Sequence, residues 1–137
     1  MMKRRAFVVG SLLAAACKKE ERCKNCGMKI DPTSAWNADL IGMDGKPVRF
    51  DTPRCAFTYW RSGKIQAKDL RAQDYYERAW HDSAELKFVL GGDVLGPMGP
   101  DLVPVDAARA GKFIQDHSAD KAVTAPEVTT AVLNDIK

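Results

Sequence analysis

Short apolar runs bounded by turn residues alternate along this chain with segments in which apolar residues recur at helical spacing. Strand patterns occur in six segments: 36–43, 48–50, 70–76, 86–90, 102–105 and 122–124. Helical patterns occur in three segments: 53–61, 106–117 and 126–136. The resulting order is strand, strand, helix, strand, repeated once and followed by a helix. It predicts an α+β fold of two ββαβ-type halves in one small domain plus a C-terminal helix.

Turn and capping residues set the boundaries of these elements. Asp44-Gly45 is a strong two-residue hairpin signal between the first two strands. Asp51 or Thr52 is expected to cap the first helix, with Pro53 in its first turn. Pro104 interrupts the fifth strand pattern, and because proline has no amide hydrogen it favours an edge strand there. These residues predict a hairpin that leads directly into a helix.

The first 16 residues have the character of an export signal. Residues 1–5 carry three positive charges, and residues 6–16 form an apolar run that is too short to span a bilayer. Ala14-Ala15-Ala16 then precedes Cys17, which resembles a bacterial lipobox in which Cys17 is lipidated and becomes the first mature residue. The same three alanines also fit an ordinary signal peptide with an A-x-A cleavage site, so both processing routes stay open.

This leader predicts how the chain is divided and where it acts. We expect a signal peptide at 1–16, a lipid-anchored tether at 17–22 and a metal-binding domain at 23–137, on the periplasmic side of a bacterial membrane. The leader contains three of the 21 lysine and arginine residues, so the remainder carries as many basic as acidic residues, 18 of each. The absence of a basic stripe argues against nucleic acid as a partner.

Sulfur-bearing side chains are concentrated just after the leader. Cys23, Cys26 and Met28 lie close together, and soft thiolate and thioether ligands favour Cu(I) over magnesium or calcium. Met98 lies in a loop rich in glycine and proline, 96–100, in which the prolines restrict the backbone and hold the thioether in one place. The sequence therefore predicts a Cu(I) site made of Cys23, Cys26, Met28 and Met98.

Other uses of these thiols remain open on the sequence alone. Cys55 and His81 are further metal or redox candidates, and with Cys23 and Cys26 they could complete a four-ligand structural zinc site. Cys23 and Cys26 could instead form a disulfide in an oxidising compartment. Because three cysteines follow Cys17, at least one thiol has no internal partner, which fits metal binding better than a disulfide scaffold.

Several of these motifs together resemble the NosL family of nitrous oxide reductase accessory lipoproteins. The resemblance rests on Cys17, the run CKNCGM at 23–28, the Asp44-Gly45 hairpin, FDTP at 50–53 and GPMGPDLVP at 96–104. It implies a periplasmic Cu(I)-binding lipoprotein that hands copper to nitrous oxide reductase beside an ABC-type membrane transporter, and a repeat fold similar to that of organomercurial lyase. It also implies Cys23 or Cys26, Met28 and Met98 as copper ligands.

Two other functions are kept for comparison with this copper chaperone, which is not an enzyme. A thiol-disulfide or organomercurial-type enzyme would use Cys23, Cys26 and Cys55, but the sequence offers only Asp31 as a nearby acid or base. A structural zinc-binding lipoprotein would use the same thiols without transferring metal. No catalytic residue is assigned, and the expected partners are a copper-accepting cuproenzyme and, through the lipid anchor, the membrane.

Overall fold

Two antiparallel sheets with the same internal topology make up the part of the chain that the computed structural model describes, residues 20–137. The first sheet has the strand order β2-β1-β3-β4, with β1 (Ala38–Gly42), β2 (Pro47–Phe50), β3 (Ala67–Gln73) and β4 (Trp80–Asp82). The second has the order β6-β5-β7, with β5 (Leu86–Gly91), β6 (Val103–Asp106) and β7 (Ala119–Val123).

Each sheet contains one ββαβ unit. In both units a hairpin is followed by a helix, and the third strand then pairs with the free edge of the first strand. The connecting helices are α1 (Pro53–Arg61) and α2 (Ala110–His117). The matching orders β2-β1-β3 and β6-β5-β7 confirm the predicted pair of ββαβ halves, with β4 added at one edge of the first sheet.

The main core lies between the first sheet, α1 and one face of β5. The ring of Phe57 on α1 meets the ring of Phe88 on β5 edge-on, with centroids 4.9 Å apart, and both side chains are fully buried. Val89 faces the other way and packs with Phe113 of α2 in a second cluster. Because neighbouring residues of a strand point to opposite faces, β5 joins the two halves of the molecule.

The C-terminal region differs from the predicted continuous helix at 126–136. It forms a 3₁₀ turn, Ala125–Glu127, followed by the short helix α3 (Thr130–Asn134). The guanidinium of Arg61 donates hydrogen bonds to the carbonyls of Ala125 and Val128, at 2.8 and 2.7 Å. Those carbonyls are ones that a continuous helix would use internally, so the contact with α1 favours the break.

Two further observations concern the predicted boundaries. The strand pattern at 70–76 is displaced, because β3 ends at Gln73 and the chain then turns before forming β4, which was not predicted as a strand. Within residues 20–137, no helix has the length and apolar character needed to cross a membrane. The predicted signal peptide and the lipidation site Cys17 lie outside the described residues.

Candidate metal centre

Cys23 and Cys26 lie in a tight loop at 22–29, which we call the knuckle. The amide of Cys23 donates to the carbonyl of Met28 at 2.9 Å, and the amide of Gly27 donates to the carbonyl of Cys23 at 2.8 Å. Gly27 has a φ of +79°, a conformation that a residue with a side chain adopts only with strain. The loop is therefore closed by its own backbone.

The N-terminus of α1 supplies the other half of the site. Thr52 caps this helix, and its hydroxyl accepts a hydrogen bond from the amide of Cys55 at 3.1 Å. Pro53 occupies the first turn, where a missing amide hydrogen costs nothing. Asp51 precedes the cap and Cys55 follows it, so the local sequence carries both side chains to the same end of the helix.

The knuckle and the helix terminus meet in a compact group, the cysteine cluster, which consists of Cys23, Cys26, Asp51 and Cys55. The three sulfurs and one carboxylate oxygen all lie within 4.8 Å of one another. A metal ion bound to sulfur at about 2.3 Å spans ligand atoms up to about 4.6 Å apart. A single ion therefore matches the size of the cluster, with small adjustments of the side chains.

The three thiols differ in acidity because each faces different groups. The thiol of Cys55 donates to Cys23, and this bond, together with backbone amides that include those of Asp51 and Cys26, lowers the pKa of Cys23 to about 6. The same interaction raises the pKa of Cys55. Removal of its sulfur from solvent raises the pKa of Cys26 to about 11, and Cys23 and Asp51 add to that effect. Cys23 is thus the most acidic of the three thiols.

Asp51 is the residue that sequence reasoning missed, because it was considered only as a possible helix cap. It is 7% exposed, and its Oδ2 accepts a hydrogen bond from the thiol of Cys26 at 3.3 Å. Its Oδ1 is buried without a hydrogen-bond partner. A buried carboxylate oxygen is costly unless something compensates its charge. A cation in the cluster would do so, and the position of Asp51 directly before a Thr-Pro helix start was the available signal.

Met98 reaches the same region from a distant part of the chain. A cavity of about 460 Å³ is lined by Cys26, Cys55 and Met98 together with residues of α1, α3 and the 96–100 loop. Met98 is 47% exposed, so its thioether is accessible from solvent. Cys26 of the knuckle and Met98 of the 96–100 loop therefore line the same cavity.

The remaining sequence candidates, Met28 and His81, do not line this cavity. Met28 closes the knuckle through its backbone carbonyl, but its half-exposed side chain does not line the cavity. His81 lies on β4, at the sheet edge opposite β2, and its Nδ1 is 2.6 Å from a carboxylate oxygen of Glu85. It is not part of the cysteine cluster, so a zinc site that combines His81 with the cysteines does not form here.

Comparisons with known proteins agree with the fold and the motifs. The crystal structure of the copper chaperone NosL from Shewanella denitrificans is similar to 80% of this chain and 90% of its own, with a TM-score of 0.68 and 22% sequence identity, a likeness that shows the fold. No curated protein matches the sequence significantly. The family model named NosL matches residues 14–133. Because that match spans most of the chain, this protein belongs to the NosL family.

Proposed function

We propose that this protein binds one Cu(I) ion at the cysteine cluster, with Met98 as an additional ligand, and delivers the ion to a copper-accepting cuproenzyme. The observation that carries the proposal is the convergence of three thiols and one carboxylate within 4.8 Å, beside a cavity that Met98 also lines. The Shewanella protein of the same fold is described as a copper chaperone.

The donor set favours a soft, thiophilic ion. Thiolate and thioether sulfur select Cu(I) over hard cations, and the lowered pKa of Cys23 favours the thiolate form that such an ion binds. The buried Cys23 and Cys55 would retain the ion, while Cys26 is exposed and Met98 half-exposed. Ligands of an acceptor protein can therefore approach from the side of Cys26 and Met98. This asymmetry suits a carrier that must both hold copper and release it by ligand exchange.

The protein is a metal carrier rather than an enzyme, as its family and the description of the Shewanella protein indicate. Structural zinc remains the main competing role, because three sulfurs and a carboxylate oxygen are also an acceptable tetrahedral set for Zn²⁺. The exposed thiol and thioether argue for exchange instead, since a structural zinc site is closed by its ligands.

A competition between the two metals tests this function. Reduced protein is mixed with equal amounts of Cu(I) and Zn(II) under anaerobic conditions and examined by native mass spectrometry. We expect one bound Cu(I) that displaces zinc, and loss of binding in Cys26→Ser. His81→Ala, on β4 and outside the cysteine cluster, is the matched control and should bind Cu(I) as the wild type does. Stoichiometric zinc that Cu(I) does not displace would favour the structural role.

The recipient and the location of the protein are proposed from the sequence motifs. We infer that nitrous oxide reductase is the acceptor, reached beside an ABC-type transporter, and that Cys17 carries a lipid on the periplasmic side of the membrane. Copper-loaded protein should activate copper-free nitrous oxide reductase. Cys17→Ser should release the protein from the membrane fraction or leave the precursor unprocessed, and a wild-type N-terminus downstream of Cys17 would contradict the lipid anchor.

A further inference from the structure

The turn that carries Met98 is rigid in itself. Gly96 and Gly99 exchange two backbone hydrogen bonds, Gly96 N to Gly99 O at 2.8 Å and Gly99 N to Gly96 O at 3.1 Å. Pro97 and Met98 form the tip between them, and Gly99 has a φ of +105°. Because the turn is fixed internally, the direction of the Met98 side chain depends on how the base of the turn is attached to the rest of the molecule.

Asp101 makes that attachment. This residue is 6% exposed, and its Oδ1 accepts hydrogen bonds from the amides of Arg54 on α1 and of Leu102, at 2.9 and 2.8 Å. A β-carbon on Gly96 would lie 3.3 Å from that of Asp101, so the two ends of the turn are in close contact. The carboxylate thus ties the base of the Met98 turn to the helix terminus that carries Cys55.

The side chain of Arg54 adds a second connection between the turn and α1. Its guanidinium donates to the carbonyls of Pro100 at 3.2 Å and Ile136 at 3.4 Å. The Asp101 carboxylate instead receives backbone amides and the hydroxyl of Thr52, the cap of α1. The turn and the helix are therefore joined in both directions. Asp101 accepts a hydrogen bond from the amide of Arg54 on α1, and the Arg54 guanidinium donates one to the carbonyl of Pro100.

We propose that Asp101 is a positioning residue for copper, which holds the Met98 thioether over the cysteine cluster by fastening the 96–100 turn to the N-terminus of α1. The inference rests on the proposed copper binding. It adds a residue that sulfur chemistry would not reveal, since the buried Asp101 carboxylate accepts hydrogen bonds from backbone amides and is not a member of the cysteine cluster. It also explains how the Met98 thioether is held in position relative to the cysteine cluster in the metal-free protein.

The test is a double-mutant cycle in the full-length, reduced protein, with Cu(I) affinity measured by competition against the chromophoric chelator bicinchoninate. Asp101→Ala should weaken Cu(I) binding by about 10- to 100-fold, as loss of an orienting partner does at metal sites. Met98→Leu removes the thioether itself and should weaken binding at least as much. The double variant should bind no more weakly than Met98→Leu alone. Asp101→Asn keeps an oxygen that can accept both amide hydrogen bonds and should restore affinity.

Asp74 provides a matched control. It is 2% exposed and joins separate segments by accepting the amides of Glu77 at 2.8 Å and Asp106 at 2.7 Å, but it does not line the cavity. Asp74→Ala therefore loses comparable bonds and should keep wild-type Cu(I) affinity. The ε-methyl resonance of Met98 gives a second readout: it should shift when Cu(I) binds to the wild type and stay unshifted in Asp101→Ala.

Each result separates this inference from the proposed function. Wild-type affinity in Asp101→Ala, or losses that add fully to those of Met98→Leu, would overturn the positioning role and leave copper binding intact. An unchanged affinity in Met98→Leu would overturn the positioning role together with Met98 as a ligand, but not copper binding by the cysteine cluster. A wild type that takes up no Cu(I) would overturn the function itself. If Asp101→Ala does not fold, Arg54→Leu removes only the bonds to Pro100 and Ile136 and should show a smaller loss that is likewise absent in the Met98→Leu background.

Discussion

Single residues of the cysteine cluster differ in character because of their immediate neighbours. Cys23 receives hydrogen bonds from Cys55 and from backbone amides, which lower its pKa to about 6. Removal of its sulfur from solvent raises the pKa of Cys26 to about 11, and the nearby Asp51 carboxylate adds to that effect. Three chemically identical side chains therefore differ in acidity, and Cys23 is the most acidic of them. Because a thiol must lose its proton before it can bind a metal, this difference determines which sulfur binds most readily.

Replacement of Asp51 should change the reactivity of Cys26. In Asp51→Asn the carboxylate that helps to raise the pKa of Cys26 is gone, although desolvation, the larger cause, remains. The pKa of Cys26 should fall, and one unit would give about tenfold more thiolate at pH 8. The rate of alkylation of Cys26 by iodoacetamide in the reduced, metal-free protein measures this. Asp31→Asn, on the exposed chain after the knuckle, should leave the rate unchanged, and equal rates in both variants would contradict the role of Asp51.

Asp101 should give the stability of the metal-free protein a defined pH dependence. Burial raises the pKa of Asp101 from 3.8 to about 6, so between these values the folded state binds more protons than the unfolded state. The contribution of this group to the free energy of unfolding therefore falls as pH rises from about 4 to about 6, and is constant above that.

Asp101→Asn removes this pH-dependent contribution. Relative to the wild type, the variant should gain stability on the order of 2 kcal/mol between pH 4 and pH 7. Urea unfolding of both proteins across that range checks the change, since other carboxylates contribute equally to both. A difference that does not vary with pH would show that the Asp101 carboxyl titrates as it does in the unfolded chain.

Sequence reasoning identified some residues of the site and missed others, because the missed residues act through contacts with distant parts of the chain. Cys23, Cys26 and Met98 were predicted because sulfur in a turn or a glycine-proline loop is unusual in itself, and their ligand roles remain predictions. Asp51 and Asp101 carry no such signal, because aspartate at turns and caps is common. Their significance depends on contacts with groups 25 and 47 positions away along the chain, which only the folded structure brings together.

At the scale of elements, the N-terminus of α1 is the part of the fold that local sequence specifies best. The predicted helix at 53–61 has those bounds in the structure, because Thr52 caps it and Pro53 fits its first turn. The helix predicted at 126–136 is interrupted at Val128, where the Arg61 side chain donates to the backbone carbonyl and Thr129 then caps a separate short helix. Local signals thus sufficed where an element's ends are satisfied locally, and failed where a distant side chain competes for the backbone.

Loss of the Thr52 cap should destabilise the site-bearing helix. Thr52→Ala leaves the amide of Cys55 without its hydrogen bond and should lower the free energy of unfolding by about 1 to 2 kcal/mol. Thr52→Ser keeps the hydroxyl and should lose much less. Urea unfolding of the two variants compares them directly, and equal losses would mean that the buried methyl group, and not the cap, is what stabilises the helix.

At the scale of the whole molecule, the candidate site is assembled from three separate parts. The knuckle precedes the first ββαβ unit, α1 belongs to that unit, and the 96–100 turn connects β5 to β6 in the second unit. The two-half architecture was predictable from the order of strand and helix patterns. The sequence expected the knuckle and the 96–100 turn to share a copper site, and in the structure Cys26 and Met98 line one cavity. The packing of Phe57 against Phe88, which joins the two halves, had no signal in the sequence.

Copper binding should therefore stabilise the molecule and link these parts. An ion that binds only the folded state at a free concentration 100 times its dissociation constant adds about 2.7 kcal/mol to the free energy of unfolding. Hydrogen exchange should slow most in the knuckle and in the 96–100 turn, since Cys26 and Met98 are accessible to solvent and line the same cavity. Exchange followed by mass spectrometry, with and without Cu(I), measures both segments in one experiment.

The same experiment in Met98→Leu shows whether the Met98 thioether is what links the 96–100 turn to the knuckle when Cu(I) binds. Leucine keeps the volume and the apolar character of methionine, so the fold should survive at a cost below about 1.5 kcal/mol. Cu(I) bound to the thiols alone should still protect the knuckle and the start of α1, while the 96–100 turn exchanges as in the metal-free protein. Equal protection of the turn in both proteins would mean that Cu(I) orders the second half through the cysteine cluster without the Met98 thioether, and the site would then belong to the knuckle and α1 alone.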